Sequence, residues 1–326
     1  MRLVIPVSSP FSSVFKSQPI LGEKHVAKPQ IRRIGLMSPG DMGQAVGSRL
    51  QELGFEVCTA LAGRSERTRR LAAEAKIADC GDLRALLEST DLVLSILDPG
   101  AAMGLAQAAA ALLPSIKTPP LYTDCNALAP QTKAAMQSLV EAAGARFLDA
   151  GIIGPPPRGA GRIRFYVSGR GAGDLGVLQH ESITVRVVSE RVGDAAAVKM
   201  CYGGVTKGAV ALLTELLVAA RRLGVEEVLD EELRGSQAAL RDWILKNLPS
   251  MPPKAYRWVP ETEEIAATFG ATGLTPLMMQ GAADTYAAIA ATAAGKESPE
   301  EARTVARTGS AVIAALDAGI PRDTAK

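Results

Sequence analysis

Apolar residues follow two rhythms along this chain. Between Ile31 and Ser189, short apolar runs alternate with windows in which apolar residues recur every three or four positions. The runs, at residues 34–37, 56–61, 92–97, 121–124 and 146–150, have the length and bounding turns of buried strands. The windows, at residues 44–53, 66–75, 83–88, 101–113 and 131–142, have the period of helices. This alternation predicts an α/β class domain, a Rossmann-like parallel sheet with helices on both faces. Two more runs, at 162–167 and 184–188, extend the sheet; their short link lets them enter it differently from the first five.

At Gly193 the texture changes. Residues 194–223 carry a nearly unbroken helical pattern, with Val198, Cys201, Val205, Ala209, Leu212 and Leu216 at three- and four-residue steps. Further helices are predicted at 231–247, 261–269, 276–294 and 299–317, and no strand pattern follows Ser189. The chain therefore divides into an N-terminal extension (1–30), the α/β domain (31–192) and an all-α C-terminal domain (193–326). The first thirty residues hold five serines and four prolines, with no acid before Glu23. They read as a disordered extension. The alternative is an organelle transit peptide, for which Arg2 and Lys16 are a thin basic complement.

Composition narrows the function. With 326 residues, 47% hydrophobic, 21% charged and a net charge of +2, the chain has the make-up of a soluble globular protein. No basic block points to nucleic acid, and no unbroken apolar run approaches the roughly 18–20 residues of a membrane span. Four widely spaced cysteines, Cys58, Cys80, Cys125 and Cys201, read as reduced and mostly buried thiols of a cytoplasmic protein. Only His25 and His180 are histidines, without ligand-spaced neighbours, so neither a histidine metal site nor a Ser-His-Asp hydrolase is expected.

The chemistry begins at Ser38-Pro39-Gly40-Asp41-Met42-Gly43, a tight turn between the first strand and first helix. Strand, glycine turn and helix in that order offer backbone N–H groups and a positive helix end to a pyrophosphate. Ser38 stands where the dinucleotide fingerprint has its first glycine. The second strand ends without the acid that would hold an adenosine ribose. Arg64 and Ser65 follow instead, suited to a 2′-phosphate, so NADP is the expected cofactor, with NAD possible.

Further segments lie in a recognisable order: Ser95-Ile96-Leu97-Asp98-Pro99; Asp124-Cys125-Asn126-Ala127-Leu128-Ala129-Pro130; Asp149-Ala150-Gly151-Ile152-Ile153-Gly154-Pro155; and a helix opened by Gly193 with Lys199 and Gly203. Together with the G-x-M-G ending of the first turn, they resemble the β-hydroxyacid dehydrogenase family, which includes 3-hydroxyisobutyrate dehydrogenase and is related to 6-phosphogluconate dehydrogenase. The resemblance runs from Ile31 to the last helices. The segment from Ala255 to Glu264 resembles a branch whose helical domain lacks a defined function.

The resemblance implies roles. Leu97 and Asp98 lie near the cofactor, and Asn126 offers its amide to a carboxamide or substrate oxygen. Lys199 is the general acid/base beside the alkoxide that forms on hydride addition. Tyr202, Gly203 and Thr206 share its helix face at i+3, i+4 and i+7, and Lys207 is the weaker lysine candidate. The family's carboxylate loop is altered: Ile153 replaces its serine and Pro155, which has no N–H, its final glycine. With Gly154 these residues point to a bulkier or less acidic substrate. Gly203 replaces the family's Asn. Glu261, Glu264 and Thr268 fall on one helical face after Pro260, beside Trp258. Two readings stand equally, a pocket wall from the helical domain or acids that favour a helix N-terminus. A carboxylate there facing the nicotinamide would suit a cationic or amine-bearing substrate.

The resulting expectation is an NADP(H)-preferring oxidoreductase that moves hydride to or from a hydroxyl-bearing carbon of a small substrate. It would work as a cytoplasmic homodimer with interlocked helical domains. Two alternatives remain open. Imine reductases resemble this layout but place Asp or Tyr where Lys199 stands. The other is a dinucleotide-binding protein without catalysis.

Overall fold

The computed structural model describes residues 31–305 and 307–322; the expected N-terminal extension lies outside the described residues. One eight-stranded sheet organises the first domain, in the order β3-β2-β1-β4-β5-β6-β7-β8. The strands are β1 (Arg33–Met37), β2 (Glu56–Thr59), β3 (Ala78–Asp79), β4 (Leu92–Ser95), β5 (Leu121–Asp124), β6 (Phe147–Ile153), β7 (Ile163–Ser168) and β8 (Ile183–Ser189). All neighbours run parallel except β6 and β7, which pair antiparallel. The different entry expected of the last two runs is at β7, which pairs antiparallel with β6; the link from β7 to β8 is a crossover between parallel strands through a short 3-10 helix, Ala172–Leu178. β3 escaped the sequence pattern because its two residues are exposed.

Helices α1 (Asp41–Glu52), α2 (Glu66–Glu74), α3 (Leu83–Ser89), α4 (Pro99–Leu112) and α5 (Pro130–Ala142) connect the parallel strands. Their starts follow local chemistry. Asp82 and Asp98 accept backbone N–H bonds as caps of α3 and α4, while Pro99 and Pro130 sit at first helical positions, where no N–H is missed. Side chains alternate across the pleat. Leu92 and Leu94 enter one core with Ile34, Leu36, Val46 and Leu50, and Val93 enters a second with Met37, Tyr122, Met136 and Val140. Both faces are covered, as a parallel sheet requires. Strand order reverses between β1 and β4, placing a crevice at the carboxyl ends of these strands.

The second domain is helical. The long helix runs as α6 (Asp194–Gly203), a wide π-type turn (Gly204–Gly208) and α7 (Ala209–Arg222). Then come α8 (Glu226–Ser236), α9 (Ala238–Asn247), α10 (Ala255–Ala271), α11 (Leu277–Ala291), α12 (Pro299–Thr304) and α13 (Gly309–Gly319). Three expectations are corrected here. The predicted helix 231–247 is two helices, because Gln237 leaves helical backbone at φ −137°. The predicted helix 299–317 is also two, the second capped by the Thr308 hydroxyl. Conversely, α10 starts before Pro260 and runs through it. Asp194–Arg222 is a helical stretch of 29 residues containing an 18-residue window with a mean hydropathy of 1.4, long and apolar enough by those measures to cross a membrane. Scanning for unbroken apolar runs missed it because Lys199, Lys207 and Glu215 interrupt the run; inside the fold these pair with Glu261 and Thr285. Of the cysteines only Cys125 is buried and Cys201 is exposed, against the expectation of mostly buried thiols.

Candidate active site

A cleft of about 480 Å³ opens at the strand-order reversal, between the sheet and α10. One wall is the first turn: Ser38, Gly40, Asp41, Met42 and Gly43 line it, while Pro39 is buried behind them. Ser38 has φ +64°, so it adopts the left-handed backbone that a glycine would take more easily. A Cβ on Gly43 would stand 2.7 Å from the Ser38 carbonyl oxygen, so helix and turn approach closely there; a Cβ on Gly40 would meet nothing within 4 Å. The open side of Gly40, above the first N–H groups of α1, is a cradle suited to a pyrophosphate. Across this turn lies the loop after β6. Its Arg158 pairs with Asp41 at 2.8 Å and donates to Gln44 Oε1 at 2.8 Å.

Leu97 and Asp98 line the cleft beyond the turn, as expected. Asn126 does too, but its amide is committed: Nδ2 donates to Ser95 Oγ and Asp124 Oδ2, and Oδ1 accepts from Leu97 N at 2.7 Å. Both amide protons are spent inside the protein, so Asn126 shapes the Leu97–Asp98 loop and has no donor left for a ligand. Arg64 and Ser65 do not line the cleft. Ser65 caps α2 by accepting from Thr68 N, and Arg67, one turn further along, reaches the wall instead.

Beneath the cleft is a charged layer that the sequence reading missed. Lys133 is fully buried, 2.5 Å from Asp124 Oδ1 and 3.2 Å from Asp149 Oδ1. Burial pulls its ammonium down, but the two carboxylates more than offset this and hold it above the ordinary lysine value. Asp149 Oδ2 accepts from the backbone N–H groups of Gly193 and Ala196, and Ser168 Oγ accepts from Ala195 N. Helix α6, which has no cap of its own, is thus capped from the sheet. One signal was available: Lys133 shares the buried face of α5 with Met136 and Val140, at three- and seven-residue steps.

Helix α6 carries Lys199 into the cleft. Its Nζ donates to the Ile152 carbonyl at 2.9 Å and lies 3.8 Å from Glu261 Oε1 on α10. Lys207, past the wide turn, is 2.9 Å from the same oxygen and 5.3 Å from the centre of the Trp258 ring. Burial lowers the Lys199 pKa; Glu261 pulls it back and Lys207 lowers it further, leaving it below the ordinary value. For Glu261, burial raises the pKa, but Lys207, Lys199 and Arg257 outweigh it and keep the carboxyl below its usual range.

The expected face of this helix is corrected. Lys199, Gly203 and Lys207 turn toward Glu261. Tyr202 is 46% exposed, outside the cleft wall, and Thr206 spends its hydroxyl on the carbonyls of Tyr202 and Gly203. The small Gly203 has a reason: a Cβ there would lie 2.9 Å from Ile265 Cδ1 and 4.0 Å from Glu261 Oε1. α10 fills the space where a side chain at 203 would project. Trp258 lines the cleft as expected, packed edge-on against Tyr286. Glu264 does not: its Oε2 accepts from Ala129 N and Thr132 Oγ1, capping α5 and tying the two domains together. Gly154 lines the cleft, whereas Ile153 is buried in the sheet.

Residues 33–172 match the NAD binding domain of 6-phosphogluconate dehydrogenase, and residues 220–289 match DUF1932, a domain of unknown function. A conserved protein of unknown function, described as structurally similar to 3-hydroxyacid dehydrogenases, is 31% identical; the match covers 83% of this chain and 98% of that one, with a TM-score of 0.60. The chain belongs to the β-hydroxyacid dehydrogenase family. With it the chain joins the NAD(P)-dependent dehydrogenases and reductases, in the branch with a DUF1932 helical domain, and its cofactor is a nicotinamide dinucleotide. An uncharacterized 28.5 kDa protein of Methanothermus fervidus is 28% identical over 208 residues, covering 63% of this chain and 78% of that one. In fold, the chain is also like Mycobacterium tuberculosis 3-hydroxyisobutyrate dehydrogenase (20% identity, TM-score 0.64, 88% and 99% covered). The same holds for a reductive aminase from Aspergillus terreus (17%, 0.50, 88% and 99%).

Proposed function

We propose that this family member is an NADP(H)-preferring oxidoreductase that interconverts a hydroxyl-bearing carbon and a carbonyl, with Lys199 as general acid/base. The observation that carries this reading is the Lys199 ammonium, partly buried in the dinucleotide cleft and held by the Ile152 carbonyl with Glu261 beside it. The nicotinamide supplies the hydride acceptor or donor. Of the three Nζ protons, one is given to Ile152 and one side faces Glu261, which leaves one for the substrate oxygen. During oxidation the neutral amine takes the hydroxyl proton; during reduction the ammonium returns it to the alkoxide. Burial lowers the Lys199 pKa and so eases both directions near neutral pH.

NADP is favoured over NAD because β2 ends without an acid and Arg67 lines the cleft, with Arg64 at the neighbouring turn. The retained lysine favours C–O over C=N chemistry. The test is a thermal shift with NADPH and NADH, followed by turnover of hydroxy acids and cyclic imines by wild type and Lys199→Met. Larger stabilisation by NADPH and lysine-dependent hydroxyl oxidation are expected. Lysine-independent turnover would end the mechanism, and no shift with either cofactor would end the cofactor preference.

A homodimer through the helical domain belongs to the same proposal. Along the long helix Val205 is 67% exposed and Leu212 62%, with Tyr202 and Leu216 also exposed, and Val228 on α8 is 70% exposed. Exposed apolar side chains in this number suit a second copy of the chain. Light scattering of the purified protein should give twice the mass of one chain.

A further inference from the structure

Two thiols meet at the β2–β3 edge of the sheet. Cys58 lies on β2, and the register sets it opposite Ala78 on β3. Side chains alternate along a strand, so Cys80, two residues past Ala78, returns to the face of Cys58. There the two thiols are hydrogen-bond partners, and both are half-buried, within reach of a small solute. A hydrogen bond from Cys80 outweighs burial and, with another from Ser89 and the charge of Arg33, pushes the Cys58 thiol down to about 7. The same contact, together with burial and the charges of Cys58 and Asp79, raises Cys80, which stays a thiol. A nucleophilic thiolate thus sits beside a protonated partner.

The segment around Cys80 also holds the end of β2. Cys80 N and Cys80 Sγ both donate to the Thr59 carbonyl, at 2.9 and 3.0 Å. Leu61 N donates to Asp79 Oδ1 at 3.1 Å, and Ala62 N donates to the Gly81 carbonyl at 3.0 Å. Beyond Ala62 come Gly63, at φ +71°, and Ser65, which caps the helix that brings Arg67 to the cleft wall. A disulfide draws two sulfurs to about 2 Å, closer than any hydrogen-bonded pair. Residue 80 must then shift, and its Sγ–H bond to Thr59 is lost.

We propose that Cys58 and Cys80 form a reversible disulfide whose closure displaces the turn after β2 and weakens dinucleotide binding. The oxidant is a small disulfide. The Cys58 thiolate attacks one of its sulfurs and expels one small thiolate, which takes up a proton. Cys80 then gives up its proton and attacks Cys58 Sγ, expelling the second small thiol. Two protein thiols are oxidised to one S–S bond, and the small disulfide is reduced to two thiols.

The experiment treats wild type, Cys58→Ser and Cys80→Ser with oxidised glutathione and maps their digests by mass spectrometry. In wild type the peptides of Cys58 and Cys80 should be linked, and dithiothreitol should release them; neither variant should form the link. Thermal melts of the reduced proteins check the fold. NADPH and NADH titrations should show at least fivefold weaker binding by oxidised than by reduced wild type. Cys58→Ser, treated in the same way, should keep its affinity. Glutathione left on Cys58 without a bond to Cys80, or no reaction at Cys58, overturns the site. A disulfide with unchanged dinucleotide affinity, or no binding of either dinucleotide by reduced protein, overturns its coupling to the cleft.

Discussion

Lys133 and Asp149 are both fully buried and 3.2 Å apart, and the other oxygen of that aspartate holds the N-terminus of the helix that carries Lys199. The buried ion pair is thus mechanically linked to the proposed site. Breaking such a pair from one side leaves an uncompensated charge, at a cost of about 3–5 kcal/mol. Lys133→Met should therefore lower the denaturation midpoint strongly. Asp149→Asn, which keeps one acceptor for the helix, should cost less stability but still lower kcat. Urea melts paired with steady-state rates measure both, and a Lys133→Met midpoint within error of wild type would refute the first expectation.

For Lys199, the expected loss in the Met variant is about 10²–10⁴-fold in kcat. The pH profile is more discriminating. Oxidation needs the neutral amine, so its rate should rise with pH through a value below the ordinary 10.5. Glu261 raises that value and Lys207 lowers it. Glu261→Gln should therefore move the limb to lower pH and Lys207→Met to higher pH. Profiles that do not move in opposite directions would contradict the arrangement.

The two glycines of the first turn should behave differently. Gly43→Ala pushes a methyl against the Ser38 carbonyl and should destabilise the apoprotein. Gly40→Ala meets empty space, so its melt should match wild type while its dinucleotide Kd rises. Fluorescence titration with NADPH beside a cofactor-free melt separates the two effects.

Acid stability should depend on Glu261. Its folded pKa lies below the ordinary 4.5, so its contribution is complete above the unfolded value and is lost as pH falls through the folded one. The gap in Tm between wild type and Glu261→Gln should be widest near neutral pH and close on acidification. A gap constant down to pH 3 would exclude this linkage.

Most of the architecture was legible because buried parallel strands announce themselves as apolar runs, and β5 was located to the residue. The first turn was legible despite Ser38, since its left-handed backbone does what the missing glycine would do. The polar layer was not. A lysine in a helix reads as solvated, and the partners of Lys133 lie on two separate strands that only folding brings together. Thr206 was misjudged because regular 3.6-residue spacing was carried through a stretch that widens at Gly204–Gly208, whereas Tyr202 lies before it, at the exposed edge of the α6 face. Arg64 and Glu264 were placed in the site by sequence order alone, while Arg67 and Glu261, one turn or less away, occupy its wall.

That widened stretch also fixes how the chain can change. Removing one residue between Gly204 and Gly208 would rotate everything downstream by about 100° relative to α6. Val210 and Leu213 would swing out of the helical core, and Lys207 would lose its partner on α10. Length in this stretch is therefore under tighter constraint than composition. Insertions and deletions there should be far more damaging than substitutions, although none of its five residues lines the cleft.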